Sequence, residues 1–311
     1  MGEFTHIPVM LNEVIEGLNV KEDGVYVDAT VGGAGHSTEI AKRLSSGKLI
    51  CIDKDEEALK VAKERLAGKN VEFIHGDFKE VIPTLPKFDG LLMDLGVSSY
   101  QLDTAERGFS YRFTADLDMR MDVGKGITAK EVVNNLTERE LSEIFFKYGE
   151  DKYSKLIARA IVKRREVAPI NTTTELCEII LSAIPAKARY SGSNPYMRVF
   201  QALRIYVNGE LDGLYDVVIK GVERLNPYGR ICVITFHSLE DREVKTAFKY
   251  LEQDCVCPPS FPVCTCDKVS ELKILTKKPI TASEEELSRN GRAECAKLRI
   301  GEKKVLVKKY R

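Results

Sequence analysis

The sequence predicts an α/β fold, a seven-stranded sheet covered by helices, with an all-helical domain inserted into the chain. Three observations lead to this prediction. Between residues 24 and 94, short apolar runs alternate with segments of helical periodicity. Between about 111 and 204 the chain shows helical segments and loops without a convincing strand, and from 205 the alternation returns. Strands that alternate with helices form a parallel sheet covered on both faces.

The first four predicted strands are apolar runs closed by glycine or acidic residues. They are "GVYVDAT", "KLICIDKD", "NVEFIHGDF" and "FDGLLMDLG". The segments "HSTEIAKRLS" and "EEALKVAKERLAG", which follow the first two strands, have helical spacing. Because the strands are apolar throughout instead of alternating with polar residues, we expect both faces of the sheet to be buried.

Capping boxes mark two helix starts in the middle of the chain. Thr137 with Glu140, and Thr172 with Glu175, have the spacing that satisfies free N–H groups at a helix N-terminus. The later segments "GRICVITF", "ELKILTKKPI" and "AKLRIGEKKVLVKK" supply the remaining strands. We therefore expect a discontinuous α/β domain formed by residues 1–110 and 205–311, and a helical insertion at 111–204.

Charge and composition exclude two classes of protein. The 311 residues carry 47 basic and 47 acidic side chains, which argues against a dedicated polybasic binder. No stretch approaches the roughly 18 apolar residues of a membrane span, and the N-terminal segment lacks a signal-peptide layout. We expect a cytoplasmic protein without membrane contact, whose eight cysteines are thiols or metal ligands instead of disulfides.

The turn after the first strand, "VGGAGHS", is a candidate ligand site. A dinucleotide fingerprint would place a third glycine where Thr38 stands, and the Lys-Ser/Thr ending of a P-loop is absent. What remains is a turn of small residues that lets backbone approach a ligand closely, or a plain connection between strand and helix.

Acidic and aromatic residues end the next three strands. Asp53 could accept hydrogen bonds from ribose hydroxyls, Asp77 and Phe78 could bind and stack an adenine, and Asp94 ends the fourth strand. This set fits S-adenosylmethionine better than a dinucleotide, although Asp53 and Asp77 could each be surface residues or helix caps. The segment "LNPYGR" resembles the L-x-P-G-G-R turn before strand five of many methyltransferases, with Tyr228 in place of one glycine.

An ordered set of phrases resembles the ribosomal RNA small subunit methyltransferase H family. The phrases are "HIPVMLNEVIEGL", "GGAGHS", "MDLGVSSYQLD", "ERGFSY", "DLDMRMD", "FQALRIYVN", "FHSLEDR" and "LTKKPI", and they extend from His6 to about Arg299. The resemblance implies a Rossmann-like methyltransferase domain with a helical insertion. It also implies an enzyme that methylates the exocyclic N4 amine of one cytidine in the decoding region of 16S ribosomal RNA, with S-adenosylmethionine as methyl donor.

The resemblance implies a set of cofactor contacts. They are Ala34, Gly35, His36, Asp53, Phe78, Asp94 and Gln101. One segment departs from the family: its N-P-R-A-R-S tail reads "NGRAEC" here, with Gly291, Glu294 and Cys295 at three positions. Either that tail contacts RNA more weakly in this chain, or it is structural.

Methylation of a cytosine amine requires acceptors for the amino hydrogens but no covalent nucleophile. Asp94 is the first candidate acceptor, with Ser98 or a carbonyl of the 95–99 loop nearby, and its implied cofactor contact could compete with that role. His237 is a candidate contact to the substrate base. The alternative for His237 is structural, since Ser238 and Asp241 could cap the next helix, and Glu240 with Arg242 could be a surface charge pair.

Two basic regions are candidates for RNA contact. Residues 147–204 hold eleven Lys or Arg and five Asp or Glu, and the last fifteen residues hold seven basic and one acidic. The segments "RREVAPINT" and "KARYSGSNPYMR" suit phosphates and stacked bases. Solvated helix faces are the alternative. The expected partner is 16S ribosomal RNA, either naked or within the small subunit, and a homodimer is left open.

The segment "CVCPPSFPVCTC" places Cys255, Cys257, Cys264 and Cys266 as two C-x-C pairs. Four thiolates can close a tetrahedral zinc site. Free thiols or redox pairs are the alternative.

Two other classes of function are weighed against RNA methylation. A non-catalytic RNA-binding scaffold would keep the fold without the chemistry. An NAD-dependent oxidoreductase is disfavoured by Thr38 and by the absence of a proton-relay pair.

Overall fold

A computed structural model describes residues 8–189, 194–258, 260–261 and 263–305. The chain divides into two compact units, one formed by residues 1–96 and 213–311, the other by residues 97–212. The helical unit is therefore wider at both ends than the predicted insertion of 111–204. The reason is packing: Val97 and Leu102 before it, and Tyr206 and Val207 after it, pack against the core of the helical unit.

The α/β unit contains one seven-stranded sheet. Its strands are β1 (Val25–Asp28), β2 (Lys48–Asp53), β3 (Val71–His75), β4 (Phe88–Asp94), β5 (Leu225–Thr235), β6 (Leu272–Ile274) and β7 (Lys297–Lys303). The strand order is β3-β2-β1-β4-β5-β7-β6. The first five strands are mutually parallel, and β7 runs antiparallel to β5 and to β6. The predicted α/β class and the seven strands are confirmed.

The helices are as follows: α1 (Leu11–Leu18), α2 (Gly35–Arg43), α3 (Glu56–Arg65), α4 (Phe78–Val81), α5 (Ser99–Asp103), α6 (Ala129–Asn135), α7 (Glu138–Gly149), α8 (Ser154–Arg165), α9 (Thr173–Ala183), α10 (Ala186–Arg189), α11 (Met197–Asn208), α12 (Leu214–Arg224), α13 (Ser238–Glu252) and α14 (Glu284–Arg289). Helices α5–α11 belong to the helical unit. Within the described parts of the chain, no helix has the length and apolar character that crossing a bilayer requires.

The core of the α/β unit follows from the apolar strands. Leu49, Leu92 and Ile234, from three parallel strands, are fully buried in one cluster with residues of α1 and α2. Burial on both faces removes a large apolar area from water, at roughly 25 cal/mol per Å². The sheet is therefore a rigid support for the loops at its carboxyl edge.

Strand β5 begins earlier than the sequence predicts. The segment "LNPYG" was expected to be a turn before the strand, but β5 already pairs with β4 at Leu225, and the register shifts between Phe88 and Gly90. Tyr228 has φ 65°, in the left-handed region that favours glycine, and 67% of its surface is exposed. The backbone therefore keeps the glycine-like conformation even though a tyrosine occupies the position.

Capping boxes begin several helices of the helical unit, including α7 and α9. Both predicted boxes are present: the Thr137 and Thr172 hydroxyls accept the N–H of Glu140 and Glu175, and each glutamate carboxylate accepts the N–H of its cap residue. Loss of one such cap costs about 1 kcal/mol. The helices enclose a core of their own, with Phe145, Ile157, Ile180 and Leu203 almost completely buried.

Candidate cofactor and active site

The carboxyl ends of β1 and β4 form the candidate site. These strands are neighbours in the sheet, and the chain moves from one side of β1 to the other between β3 and β4. Ligands of open α/β sheets bind at such a switch point. The backbone N–H of Asp94 donates to Thr30 Oγ1 at 2.8 Å, which ties the two strand ends together.

Asp28 lies beneath the turn after β1 and was not predicted as a site residue. It is 2% exposed, and its carboxylate accepts hydrogen bonds from the Ser37 hydroxyl (2.7 Å) and the Thr30 N–H (3.2 Å). Burial raises the pKa of Asp28 from 3.8 to about 6, against the lowering effect of these hydrogen bonds. Because Asp28 ends an apolar run, the sequence pattern around it predicts a strand and does not indicate a site residue.

Ala34 and Gly35, two small residues of the turn after β1, have structural roles. Ala34 is fully buried, has φ 60° and caps α2; its N–H donates to the Val31 carbonyl at 2.7 Å. A side chain at Gly35 would overlap the Pro8 ring. The segment before α1 therefore gives Gly35 a structural reason, and the predicted cofactor contact at this residue stays a prediction.

His36 connects the turn to the end of β4. Its Nε2 lies 2.9 Å from the carbonyl oxygen of Val9, which can only accept, so Nε2 carries a proton. Its Nδ1 lies 3.7 Å from Asp94 Oδ2. The ring is 5% exposed and therefore forms a rigid wall of the site.

Asp94 has one oxygen available for a ligand. Within the described residues, Oδ1 of Asp94 is buried and accepts no hydrogen bond. Burial, together with the smaller effects of the charges of Asp28 and Glu240, raises the pKa of Asp94 from 3.8 to about 8. A buried acceptor without a partner is costly, so this atom marks a place where a ligand's donor or positive charge would be stabilising.

Asp53 lies at the end of β2, as predicted. Its Oδ2 accepts the Gly32 N–H at 2.8 Å and its Oδ1 accepts the Asp55 N–H at 2.9 Å. Burial raises the pKa of Asp53 to about 6, while these two hydrogen bonds oppose the rise. Each carboxylate oxygen has a second lone pair, so ribose hydroxyls could still bind.

Asp77 caps α4, which was the structural alternative for this residue. Its Oδ1 accepts the Lys79 N–H at 2.9 Å, and Lys79 Nζ lies 3.5 Å from Oδ2. Phe78 follows as the first residue of α4 and is half-buried. Its ring is therefore partly open to a stacking partner.

In the segment "FHSLEDR", the helix cap and the charge pairs differ from the predicted ones. His237, not Ser238, is the N-cap of α13, and its Nδ1 accepts the Glu240 N–H at 3.4 Å. Glu240 is not part of a surface charge pair: it is 1% exposed, and its Oε2 accepts the Phe236 N–H at 2.9 Å. Asp241 forms a bidentate pair with Arg299 instead of a capping box.

The imidazole of His237 is only partly satisfied within this segment. Its Nε2 is buried 3.1 Å from Glu240 Oε1, and within the described residues it has no hydrogen-bond partner. The cap gives His237 a structural role, and its predicted contact to substrate stays a prediction.

Ser98 and Gln101 belong to the helical unit. Ser98 caps α5 and accepts the Gln101 N–H at 3.2 Å, while Gln101 Oε1 accepts the Ser98 N–H at 3.1 Å. Their polar groups form a complete capping box. This accounts for the pair without a ligand and leaves their predicted site roles as proposals.

The C-terminal basic region is partly internal. Arg299 is 6% exposed and pairs with Asp241, and Lys303 is 6% exposed and pairs with Glu271 at 2.9 Å. Residues 308–311 lie outside the described part of the chain, as do residues 190–193 of the predicted loop "KARYSGSNPYMR". In the "NGRAEC" tail, Ala293 is buried in the core, which supports a structural role for the segment.

The charge around the turn decides between classes of ligand. Three carboxylates (Asp28, Asp53 and Asp94) end neighbouring strands, and the N–H groups of Gly32 and Ala34 already bind protein acceptors. A pyrophosphate would lack those donors and would meet carboxyl oxygens instead. A cofactor with a positive charge and ribose hydroxyls fits this donor and acceptor set.

The fold and this site define an α/β enzyme of the methyltransferase class. The family model described as the MraW methylase family matches residues 3–304. Three relatives are named "Ribosomal RNA small subunit methyltransferase H". Those of Finegoldia magna and Clostridioides difficile are 52% and 53% identical to this chain, and each match covers 97% of this chain and 99% of the relative. That of Clostridium botulinum is 55% identical over 96% of this chain and 98% of the relative. The chain belongs to the MraW methylase family.

Proposed function

We propose that this chain transfers a methyl group from S-adenosylmethionine to the N4 amine of a cytidine in the decoding region of 16S ribosomal RNA. Family membership and the names of the relatives support a methyltransferase acting on small-subunit ribosomal RNA. The observation that carries the site assignment is the buried Oδ1 of Asp94 at the carboxyl edge of the sheet, which accepts no hydrogen bond from the part of the chain that the structure describes. Such a substrate implies a cytoplasmic location.

Residues of the α/β unit would hold the cofactor. Asp53 offers lone pairs to the ribose hydroxyls, Phe78 offers a half-exposed ring face to the adenine, and His36 forms a wall beside Asp94. When bound, S-adenosylmethionine supplies an electrophilic methyl group on a positively charged sulfur. The carboxylates at the strand ends complement that charge.

Asp94 is proposed to orient the substrate amine. The lone pair of a cytosine amine is delocalised into the ring, so the nitrogen becomes nucleophilic only as it pyramidalises. A carboxylate oxygen that accepts one amino hydrogen stabilises that geometry, and positioning of this kind is worth on the order of 7–11 kcal/mol when complete. The same oxygen can receive the proton that the methylated amine must lose, because a pKa near 8 matches a weak base.

Helix α8 is proposed as part of the RNA-binding surface. Lys155 and Lys163 are exposed on it, Lys152 is exposed just before its first residue, and within the described residues Lys155 and Lys163 have no carboxylate partner. By contrast, Arg159 pairs with Glu138 and Arg164 with Glu175. Unpaired lysines on one helix can neutralise phosphates at little cost in competing interactions.

The decisive experiment uses small subunits from a strain that lacks the enzyme, compared with naked 16S RNA. The protein is incubated with each substrate and methyl-labelled S-adenosylmethionine, and nucleosides are mapped by mass spectrometry. We expect one N4-methylated cytidine, which Asp94→Ala abolishes. Methylation that is equal in Asp94→Ala, or RNA binding without methylation in both proteins, would favour another site or the scaffold function.

A further inference from the structure

The loop between α13 and β6 contains the four clustered cysteines. Hydrogen bonds fasten its base to the unit: the Glu271 N–H donates to the Leu251 carbonyl at 2.8 Å, and the Ser270 hydroxyl donates to the Glu252 carbonyl at 2.6 Å. The described residues between these points form neither helix nor strand. Loops of this length inside a compact domain need a source of order other than backbone hydrogen bonds.

The loop does not gain that order from an apolar core. The large apolar side chains of the segment are exposed: 47% for Val256, 51% for Phe261, 70% for Val263 and 39% for Val269. The groups that converge in the loop are sulfur atoms instead. All four sulfurs, those of Cys255, Cys257, Cys264 and Cys266, lie within 4.8 Å of one another.

The distances between the sulfurs identify the kind of site. Cys264 Sγ lies 3.5 Å from Cys255 Sγ, 3.9 Å from Cys257 Sγ and 3.6 Å from Cys266 Sγ, and the separation of Cys255 and Cys266 is 3.8 Å. A disulfide requires about 2.05 Å. Four ligands at about 2.3 Å from one ion lie about 3.8 Å apart in a tetrahedron. An iron–sulfur cube would hold its thiolates farther apart, because each binds a separate iron.

Backbone N–H groups donate hydrogen bonds to three of the four sulfurs, as they do to thiolates. The N–H of Cys257 donates to Cys255 Sγ at 3.4 Å, that of Val256 to Cys266 Sγ at 3.4 Å, and that of Thr265 to Cys257 Sγ at 3.3 Å. Hydrogen bonds of this kind stabilise the negative charge of metal-bound thiolates and orient the ligands.

We propose that Cys255, Cys257, Cys264 and Cys266 bind one zinc ion in a closed tetrahedral site that orders the loop between α13 and β6. Binding replaces four thiol protons with one Zn²⁺ ion and releases the protons to solvent. The site uses all four ligand positions and keeps none for water, so its role is structural. The methyl transfer proposed above requires no residue of this loop.

Metal analysis of protein purified without chelators or affinity metals tests the proposal. Cys264→Ser removes a ligand, and Cys295→Ser, which changes an exposed cysteine outside the cluster, is the matched control. We expect about one zinc per chain in the wild type and in Cys295→Ser, and less than about half of that in Cys264→Ser. Cobalt substitution of the wild type should give the visible absorption of a tetrahedral tetrathiolate site.

A second readout follows the loop itself. Chelation should raise hydrogen exchange in residues 253–271 of the wild type and of Cys295→Ser, with the sheet unchanged. Less than about 0.2 zinc per chain in the wild type, equal zinc in Cys264→Ser, or a disulfide between these cysteines in non-reducing peptide maps would overturn the proposal.

Discussion

Asp94 Oδ2 lies 3.7 Å from Nδ1 of His36, and His36 is itself fixed by the Val9 carbonyl at 2.9 Å. The turn after β1 and the end of β4 are thus joined by an imidazole whose Nε2 faces the Val9 carbonyl and whose Nδ1 faces Asp94. Burial is the largest cause of the raised pKa of Asp94, so a bound positive charge beside this side chain would stabilise the carboxylate form.

The pH dependence of methyl transfer should report Asp94. Since burial raises the pKa of Asp94 to about 8, the carboxylate form increases as pH rises through that value. We expect kcat/KM for S-adenosylmethionine to rise between roughly pH 7 and 9 with a midpoint near 8. Asp94→Asn keeps an acceptor oxygen but cannot titrate, so its profile should be flat in this range and its rate lower by about 10²-fold or more. An unchanged midpoint in Asp94→Asn would assign the titration to another group.

Gly35 should matter for stability first. A methyl group at this position would overlap the Pro8 ring, so Gly35→Ala should lower the free energy of unfolding by about 1–3 kcal/mol. Gly291→Ala is the control, because a side chain there meets no atom within 4 Å. Thermal unfolding without cofactor measures both. Equal melting temperatures for Gly35→Ala and the wild type would show that the glycine serves the ligand instead.

Asp28 should destabilise the fold at neutral pH. Its pKa is raised from 3.8 to about 6, so the folded state binds the proton more tightly than the unfolded state. The contribution of Asp28 to the free energy of unfolding is fully present below pH ~4. It is lost as pH rises through 6, which lowers the free energy of unfolding by about 3 kcal/mol. Asp28→Asn should therefore unfold at higher denaturant than the wild type at pH 7.5, and the difference should shrink toward pH 4. A variant that is less stable at both pH values would contradict this account.

The exposed lysines of α8 should set the salt dependence of RNA binding. Removing Lys155 and Lys163 together should weaken binding of a decoding-region RNA fragment and reduce the slope of log K against log salt by roughly 1–2. Lys42→Ala, which removes a lysine paired with Glu39 in the α/β unit, should leave the slope unchanged. Fluorescence anisotropy over a salt series measures both. Identical slopes for the double variant and the wild type would place the RNA elsewhere.

The sequence predicts well what depends on local pattern. Apolar runs ending in Asp53 and Asp94 mark strands whose ends must meet at one sheet edge, and the spacing of Thr137 and Thr172 to their glutamates marks helix starts. The convergence of the two C-x-C pairs follows from their short separation along the chain.

Features set by tertiary packing were missed or misread. The charged segment "SLEDR" predicts a solvent-exposed helix start, but Glu240 is buried at the end of β5. Its charge is close enough to raise the pKa of Asp94. The need for a glycine at position 35 also comes from Pro8, which lies 27 positions earlier in the chain and which the pattern of the turn does not reveal. Arg299 reads as part of a basic tail, but it is buried against Asp241.

The central claim is that Asp94 serves methyl transfer to a cytidine amine. It is tested most directly by mass spectrometry of nucleosides from small subunits that have been treated with wild-type protein or with Asp94→Ala and labelled S-adenosylmethionine. The account predicts N4-methylcytidine at one position with the wild type and a loss of about 10²-fold or more in the initial rate with Asp94→Ala. A methyl group on a ring carbon or on another base, or an undiminished rate in Asp94→Ala, would contradict it.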